Sequence, residues 1–151
     1  MTTTVHGIEE FHKLAGEHIG WSDWHLIDQE RVNLFADATG DHQWIHVDPE
    51  RAATGPFGGA IAHGYLTLSL APVLLGEVLK VEGMAFGVNY GCNKVRFPAP
   101  VKVGAKLRLG AAVATVEDVP GGVQVCLDLT FETEGAEKPS CVAQVVYRYF
   151  T

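Results

Sequence analysis

The chain has 151 residues, of which 47% are hydrophobic and 19% are charged, and its formal net charge is −7. Apolar residues are too plentiful for a disordered chain, and the length predicts one domain over residues 1–151 that buries a core without disulfide or metal support. The acidic balance excludes nucleic acid as an expected partner, because a surface that follows phosphates usually makes its domain basic.

Helical signals dominate the N-terminal half of the chain. They follow one segment near Ile19 to Leu26 that can supply a strand. Asp28 predicts the N-cap of a helix whose apolar face runs through Ala36. Asp48-Pro49 predicts a second, short helix, because an aspartate N-cap followed by proline at the first helical position is a favoured start. The chain between these two helices is predicted to be a loop.

The segment from Gly64 to Leu79 is predicted to be one long helix, and it is apolar nearly all the way round. A helix without a polar face is expected to be buried on all sides. Four strands are predicted after it from their apolar periodicity, over Met84–Phe97, Lys106–Val116, Val123–Thr133 and Cys141–Phe150. Pro120-Gly121-Gly122 predicts a tight hairpin between the second and third of them. These elements together predict an antiparallel sheet wrapped around one long helix.

Three further features of the sequence bear on where in the cell the protein lies and on whether it forms a dimer. The N-terminus shows no secretory signal, and no apolar run reaches the ~20 residues of a membrane span, so we expect a cytoplasmic protein without membrane contact. Cys92, Cys126 and Cys141 lie far apart and are predicted to be small core residues rather than a zinc or redox site. The last strand is apolar on both faces for much of its length, which indicates a second buried surface and therefore a dimer.

The segment from Ala38 to Pro49 is unusually rich in titratable groups. Asp41 and His46 lie five residues apart across a turn, where a carboxylate and an imidazole can share a water and exchange protons. A structural hydrogen bond between the two is the alternative. His42 and His46 have the i, i+4 spacing of metal ligands, but no helix is predicted across them, so no metal site is predicted. The sequence also lacks the GxSxG motif of a serine nucleophile.

His63-Gly64 opens the long apolar helix. The backbone N–H of Gly64 would lie at the positive end of the helix dipole, where it could stabilise negative charge on a substrate carbonyl. Alternatively, the two residues only end the loop and pack.

The run Gly40-Asp41-His42-Gln43-Trp44-Ile45-His46 resembles the GDxNPxH motif of the R-specific enoyl-CoA hydratases, or MaoC-like dehydratases. Three later segments follow the order and spacing of that family: Asp48-Pro49, Ile61 to Leu70, and Asn93 to Val101. Two positions depart from the motif, since Gln43 stands in place of its Asn and Trp44 in place of its Pro. These departures bear on substrate preference more than on reaction type.

The resemblance implies an α+β hotdog fold and a homodimer with its active site at the subunit interface. It implies reversible hydration of trans-2-enoyl-CoA to (R)-3-hydroxyacyl-CoA, with Asp41 and His46 as the acid–base pair. Gly64 N–H is then the candidate oxyanion contact, while Ser69 and Gln43 are candidate substrate-binding residues. No metal or redox cofactor is implied, because CoA is part of the acyl-CoA thioester substrate.

Two alternative functions stay open. The first is a hotdog acyl-CoA thioesterase, but many of these carry a catalytic acid on the central helix, where this chain offers only Glu77 near the far end. The second is a non-catalytic acyl-CoA-binding module, against which the intact pair of Asp41 and His46 counts.

A basic segment interrupts the acidic chain, since residues 80–108 contain six lysines and arginines against Glu82 alone. Lys94 and Arg96 alternate with apolar residues on one predicted strand, and Lys106 and Arg108 repeat this pattern on the next. We predict that the four cations lie side by side and that some of them, Lys94 and Arg96 first, bind the CoA phosphates. An ordinary solvated strand face is the alternative.

Overall fold

A computed structural model describes residues 2–151. Its elements in chain order are β1 (Thr3–His6), α1 (Gly7–Lys13), β2 (His18–Trp21), β3 (His25–Leu26), α2 (Gln29–Thr39), α3 (Trp44–Val47), α4 (Pro49–Ala53), α5 (Gly64–Ser69), α6 (Ala71–Val78), β4 (Leu79–Glu82), β5 (Phe86–Arg96), β6 (Lys106–Val119), β7 (Gly122–Thr133) and β8 (Cys141–Phe150).

One antiparallel sheet dominates the fold, with strand order β2-β6-β7-β8-β5 and with β3 pairing to β6 beside β2. Its inner face is apolar because alternate residues of β6 and β7 point to the same side. These residues are fully or almost fully buried: Leu107, Leu109, Ala111, Val113, Val123, Val125, Leu127, Leu129 and Phe131. They share one core with the buried residues of α5 and α6. The four predicted strands and the sheet packed on a helical segment, as in the hotdog fold, are therefore confirmed.

Local signals account for the ends of several elements. Asp28 Oδ1 accepts a hydrogen bond from Arg31 N at 2.9 Å and caps α2, and Asp48 Oδ1 accepts one from Arg51 N at 3.2 Å and caps α4. The β6–β7 hairpin turns at Pro120-Gly121, where the positive φ of 78° at Gly121 suits a residue without Cβ. The predicted caps and hairpin are confirmed.

The prediction of one long helix over Gly64 to Leu79, buried on all sides, is wrong in two respects. The segment divides at Leu70 into α5 and α6, because Pro72 has no N–H to continue the ladder of helical hydrogen bonds. Its outer face is also uncovered, with Tyr65 71% and Val73 62% exposed. That face would need a partner to become buried.

The sequence patterns missed or misplaced several elements. β1, α1 and β4 were not predicted, and β1 pairs in parallel with β4 in a separate two-stranded sheet. The predicted strand near Ile19 to Leu26 forms two short strands, β2 and β3. The predicted loop after α2 contains the helical turn α3. Cys126 and Cys141 are buried as expected, but Cys92 is exposed on β5.

The predicted row of four cations is wrong. β7 and β8 lie between β5 and β6, so Lys94 and Arg96 do not neighbour Lys106 and Arg108. β5 and β6 are consecutive in the sequence but are not neighbours in the sheet, because the chain crosses over after β5 to the far side of β7.

No helix within residues 2–151 combines the length and the apolar character that crossing a membrane requires.

Candidate active site

A cavity of about 440 Å³ lies between the segment that leads into α5 and the segment that follows β5. Its wall is mostly apolar, with a few polar side chains among the lining residues, which include His46, Phe57, Ile61, Thr67, Phe97 and Ser140. A mostly apolar pocket with few polar groups is the usual form of a small-molecule site. The cavity is therefore the place to test the predicted site residues.

His46 reaches this cavity from α3, the helical turn that the sequence patterns did not predict. The residue is 7% exposed, and its Nδ1 lies 2.7 Å from the carbonyl oxygen of Ile61. A carbonyl oxygen only accepts, so Nδ1 carries a proton and donates it to Ile61. In the neutral ring the lone pair is then on Nε2. His46 is thus held in the tautomer that a general base needs.

Burial lowers the pKa of His46 below its ordinary value of 6.5, and the hydrogen bond to Ile61 opposes this effect. The nearby His63 lowers the pKa of His46 further, whereas Asp41 raises it. Because burial is the largest of these effects, the imidazole of His46 is neutral at neutral pH and can accept a proton.

Asp41 lies at the edge of the site, with its side chain 53% exposed. Its Oδ1 accepts a hydrogen bond from Gln43 N at 3.3 Å, and its own N–H lies 3.3 Å from Thr39 Oγ1. These contacts hold the carboxylate at the start of the turn that ends in His46. The structure brings together the two residues that the sequence predicted as a pair.

His63 is the third titratable residue of the site, and it was not predicted to take part by its side chain. One carboxylate oxygen of Asp41 and one ring nitrogen from each of His46 and His63 all lie within 4.8 Å of one another. The available sequence signal was a histidine directly after the apolar run Ala60 to Ala62, at the residue before α5. A lone histidine beside such a run is too common in protein cores to identify a site by itself.

This cluster also bears on metal binding. The sequence analysis predicted no metal site because it predicted no helix across residues 42–46. In the structure, α3 covers residues 44–46 of that segment. The imidazoles of His46 and His63 are stacked, with ring centroids 3.9 Å apart and planes 24° apart. Near-parallel rings direct their in-plane lone pairs alongside each other rather than to one point, which is poor geometry for tetrahedral coordination.

Gly64 lines the cavity as the first residue of α5. No earlier turn of the helix can accept its N–H, so this donor is free for a ligand. A Cβ at this position would lie 3.2 Å from the ring of Phe97, which forms part of the opposite wall. Glycine therefore lets the wall approach the backbone here.

Ser69 lies away from the cavity that contains His46. It borders a separate cavity of about 260 Å³, together with Asn89, Cys92 and Tyr147. Thr67, two residues earlier, is buried and lines the His46 cavity instead. Thr67 follows Gly64 by three residues and so shares its helix face, a spacing by which sequence reasoning could have found it.

The two residues that depart from the resembled motif contribute differently. Gln43 is exposed and acts through its backbone, whose carbonyl accepts a hydrogen bond from His46 N at 3.0 Å. Trp44 packs against Arg51, with the guanidinium carbon 4.3 Å from the ring centre. It also lies against Gly55, where a Cβ would be 3.0 Å from the ring. Trp44 thus ties α3 to α4 and to the loop that carries Phe57.

Lys94 and Arg96 are exposed near the end of β5. Arg96 directly precedes the cavity-lining segment that begins at Phe97, and its guanidinium donates to the carbonyl of Val95 at 2.8 Å. Arg108, by contrast, is occupied, because it stacks on Trp21 and Trp24 and pairs with Glu132 at 3.3 Å. Of these cations, Arg96 is therefore the one next to the cavity segment, whereas Lys94 borders a separate cavity of about 330 Å³ together with Asp128 and Gln144.

Comparison with known proteins gives concordant results. A family model described as "MaoC like domain" matches residues 10–133. The protein "3-hydroxyacyl-thioester dehydratase Z" of Mycobacterium tuberculosis is 54% identical over 147 residues, which cover 97% of each chain. "Nodulation protein N" of Rhizobium meliloti is 41% identical over 139 residues, covering 90% of this chain and 86% of the relative.

Solved structures of two hydratases are also similar. One is an (R)-hydratase from A. caviae involved in PHA biosynthesis, with a TM-score of 0.73 and 26% identity, covering 88% of this chain and 94% of that one. The other is an unliganded R-hydratase from Pseudomonas aeruginosa, with a TM-score of 0.72 and 26% identity, covering 89% of this chain and 81% of that one.

Proposed function

The chain belongs to the MaoC-like dehydratase family and is a hydro-lyase, and from that premise we propose that it interconverts trans-2-enoyl-CoA and (R)-3-hydroxyacyl-CoA. The observation that supports the proposal is that the side chains of Asp41 and His46 lie close together beside a mostly apolar cavity of about 440 Å³. The similar R-hydratases and the 3-hydroxyacyl-thioester dehydratase support this choice of substrate and stereochemistry.

His46 is the proposed base. In the hydration direction, Nε2 takes a proton from a water molecule held between His46 and Asp41, and the oxygen of that water bonds to Cβ of the enoyl group. The hydrogen bond from Nδ1 to Ile61 persists and supports the imidazolium that forms. Asp41 orients the water and balances this charge, and the pair returns a proton to Cα on the same face, which gives syn addition.

Gly64 N–H is the proposed oxyanion donor. As Cβ is attacked, electron density moves through Cα to the thioester oxygen, and a fixed backbone donor stabilises that charge. Thr67 lies on the same helix face and is a second polar group toward the thioester. No metal or redox cofactor takes part in this scheme, because water addition needs only proton transfers and charge stabilisation. Gln43 shapes the turn through its backbone rather than contacting substrate by its side chain.

We propose that the functional unit is a homodimer. β5 is an edge strand of eleven residues that exposes Phe86, Val88 and Tyr90. The outer face of α5 and α6 nearby exposes Tyr65 and Val73. Long apolar edge strands tend to pair, and a second copy of the chain would cover both surfaces.

A thioesterase is the weaker candidate. Its required acid on the central helix would be Glu77, but both oxygens of that carboxylate are engaged. Oε2 lies 2.6 Å from His25 Nε2, and Oε1 accepts a hydrogen bond from Asp23 N at 3.0 Å. Glu77 therefore joins α6 to the segment around β3.

One assay tests the proposal. Purified enzyme is incubated with crotonyl-CoA while enoyl absorbance and free thiol are followed together, and the 3-hydroxyacyl product is resolved by chiral chromatography. We expect loss of enoyl absorbance, no thiol release and the R product. Thiol release would indicate a thioesterase, the S product would contradict the proposed stereochemistry, and binding without turnover would contradict catalysis on enoyl-CoA.

A further inference from the structure

His63 is the most deeply buried titratable residue of the site, with only 3% of its surface exposed. Its Nε2 lies 2.9 Å from the backbone carbonyl oxygen of Asp41. Since that oxygen only accepts, Nε2 carries the proton and donates it. In the neutral ring, Nδ1 then bears the lone pair.

Nδ1 of His63 is buried and has no hydrogen-bond partner among residues 2–151. A buried polar atom without a partner destabilises the folded state, and such atoms are rare in folded proteins. An apolar residue would avoid this cost if the position served packing alone. The presence of a histidine at this position must therefore be explained by the contacts of its Nε2 and of its two ring faces.

The ring of His63 contacts two aromatic neighbours. It stacks on His46, with centroids 3.9 Å apart, and it lies against Phe35, with centroids 4.9 Å apart and planes 53° apart. His63 also immediately precedes α5, so its own backbone is fixed by the start of that helix. The side chain is thus held rigidly while it contacts the backbone of one member of the proposed pair and the ring of the other.

We infer that His63 is a positioning residue that holds Asp41 and His46 in register for proton transfer. Its Nε2–H fixes the backbone at Asp41, and its ring face fixes the plane of His46. This inference rests on the proposed hydration chemistry, in which a water must be held between the two side chains. His63 itself moves no proton in this scheme, because its Nε2–H is bonded to a carbonyl that cannot pass a proton on and its buried Nδ1 contacts no donor among residues 2–151.

Two substitutions separate the donor from the ring. His63→Gln keeps an amide donor that can reach the Asp41 carbonyl but loses the ring, and His63→Phe keeps a ring but loses the donor. We expect each to lower kcat about tenfold per folded active site with KM within about twofold, and His63→Ala to lower kcat about 100-fold because both contacts are lost. The acid limb of the pH profile of kcat/KM should move to higher pH in His63→Gln, because water then reaches His46.

Phe11→Leu is the matched control for a lost buried ring. Phe11 is fully buried and stacks on Tyr149 at 5.0 Å, away from the cavity residues. We expect this variant to melt at a lower temperature while kcat and the pH profile stay as in wild type. If His63→Gln and His63→Phe behave in the same way as Phe11→Leu, His63 serves packing alone and the inference is overturned.

A further test uses the wild-type protein and so does not depend on whether any variant folds. Long-range ¹H–¹⁵N correlation spectra of the imidazoles distinguish the two neutral tautomers, and we expect His63 to carry its proton on Nε2. Finding the proton on Nδ1 would overturn the inference whatever the variants do. Absence of hydratase turnover in wild type would instead reject the proposed function while leaving the tautomer result to be read separately.

Discussion

Each member of the proposed acid–base pair has its properties set by a different part of the chain. His46 is buried by α3 and oriented by Ile61, fifteen residues further along the chain, whereas Asp41 stays half-exposed at the beginning of the turn. A buried neutral imidazole next to an accessible carboxylate combines a base with an anion that water can reach. This asymmetry leads to different expectations for the two residues.

Asp41→Asn and His46→Gln should each lower kcat at least about 100-fold, the usual effect of losing an acid–base group. Asp41→Asn should leave the melting temperature unchanged, while His46→Gln should lower the free energy of unfolding by about 1 kcal/mol through the lost bond to Ile61. Steady-state kinetics on crotonyl-CoA and thermal melts measure both effects. The control pair is Asp37→Asn and His42→Gln, which removes a surface contact of 2.9 Å outside the cavity and should retain full activity. Near-wild-type turnover in either site variant would reject the pair.

Activity should depend on pH through His46. Its pKa is lowered from 6.5, chiefly by burial, so kcat/KM should stay constant from neutral pH to below pH 6.5 and then fall as the pH approaches the lowered pKa. The same shift affects stability, because the unfolded chain binds a proton at a higher pH than the folded one does. The free energy of unfolding should therefore decrease as the pH falls from about 6.5 toward the folded pKa. A rate profile with its acid limb above pH 6.5 would contradict this assignment.

Metal removal is a further test at the same residues. We expect dialysis against a strong chelator to leave kcat unchanged, since stacked imidazoles are poorly placed to share an ion. Metal content by mass spectrometry before and after dialysis is the control. Loss of activity that zinc restores would instead make Asp41, His46 and His63 a metal site.

At the scale of elements, the parts that the sequence predicted are those with a strong local signal. Alternation of apolar residues in β6 and β7 and the aspartate caps of α2 and α4 each reflect interactions within a few residues. β1 and β4 are only four residues each and pair in parallel across more than 70 positions, so no local pattern reveals them. Likewise, the pairing order of the sheet depends on contacts between distant strands, which is why β5 and β6 were wrongly taken as neighbours.

The site shows the same division. Asp41 and His46 are close in sequence and could be predicted, whereas His63 joins them only through the return of the chain before α5. Ser69 was predicted as the polar contact along α5, but Thr67 lines the cavity instead. Given that α5 begins at Gly64, the spacing of three residues places Thr67 on the same face as Gly64.

The exposed edge strand β5 leads to a prediction about the dimer. Tyr90→Lys should weaken or abolish the dimer, because a charge on an apolar edge blocks strand pairing and burial. Sedimentation velocity at micromolar concentration should then show the 16.3 kDa species, whereas wild type should sediment at twice that mass. Leu34→Lys is the matched control, since Leu34 on α2 is as exposed as Tyr90, at 62% against 60%. A monomeric wild type would contradict the dimer and an interfacial site.

At the scale of the whole molecule, charge is the dominant property. A net charge of −7 repels CoA, which carries several phosphate charges of the same sign. Binding such a substrate therefore requires local cations at the cavity entrance. Sheet topology, and not the sequence pattern, separates the candidate cations, because it places Lys94 and Arg96 on the strand that leads into the cavity segment and Lys106 on a strand separated from it by β7 and β8.

The double substitution Lys94→Ala with Arg96→Ala should raise KM for crotonyl-CoA several-fold at low ionic strength while leaving kcat nearly unchanged. Contacts between exposed charges are screened by salt, so the effect should shrink as salt is added. A crotonyl thioester of pantetheine lacks the CoA phosphates, so the double substitution should leave its KM unchanged. Lys106→Ala removes another exposed lysine, on β6, and is the control that should not alter KM for either substrate. If the CoA and pantetheine substrates respond alike, Lys94 and Arg96 do not contact the phosphates. If Lys106→Ala has the same effect as the double substitution, the cations act only through net charge.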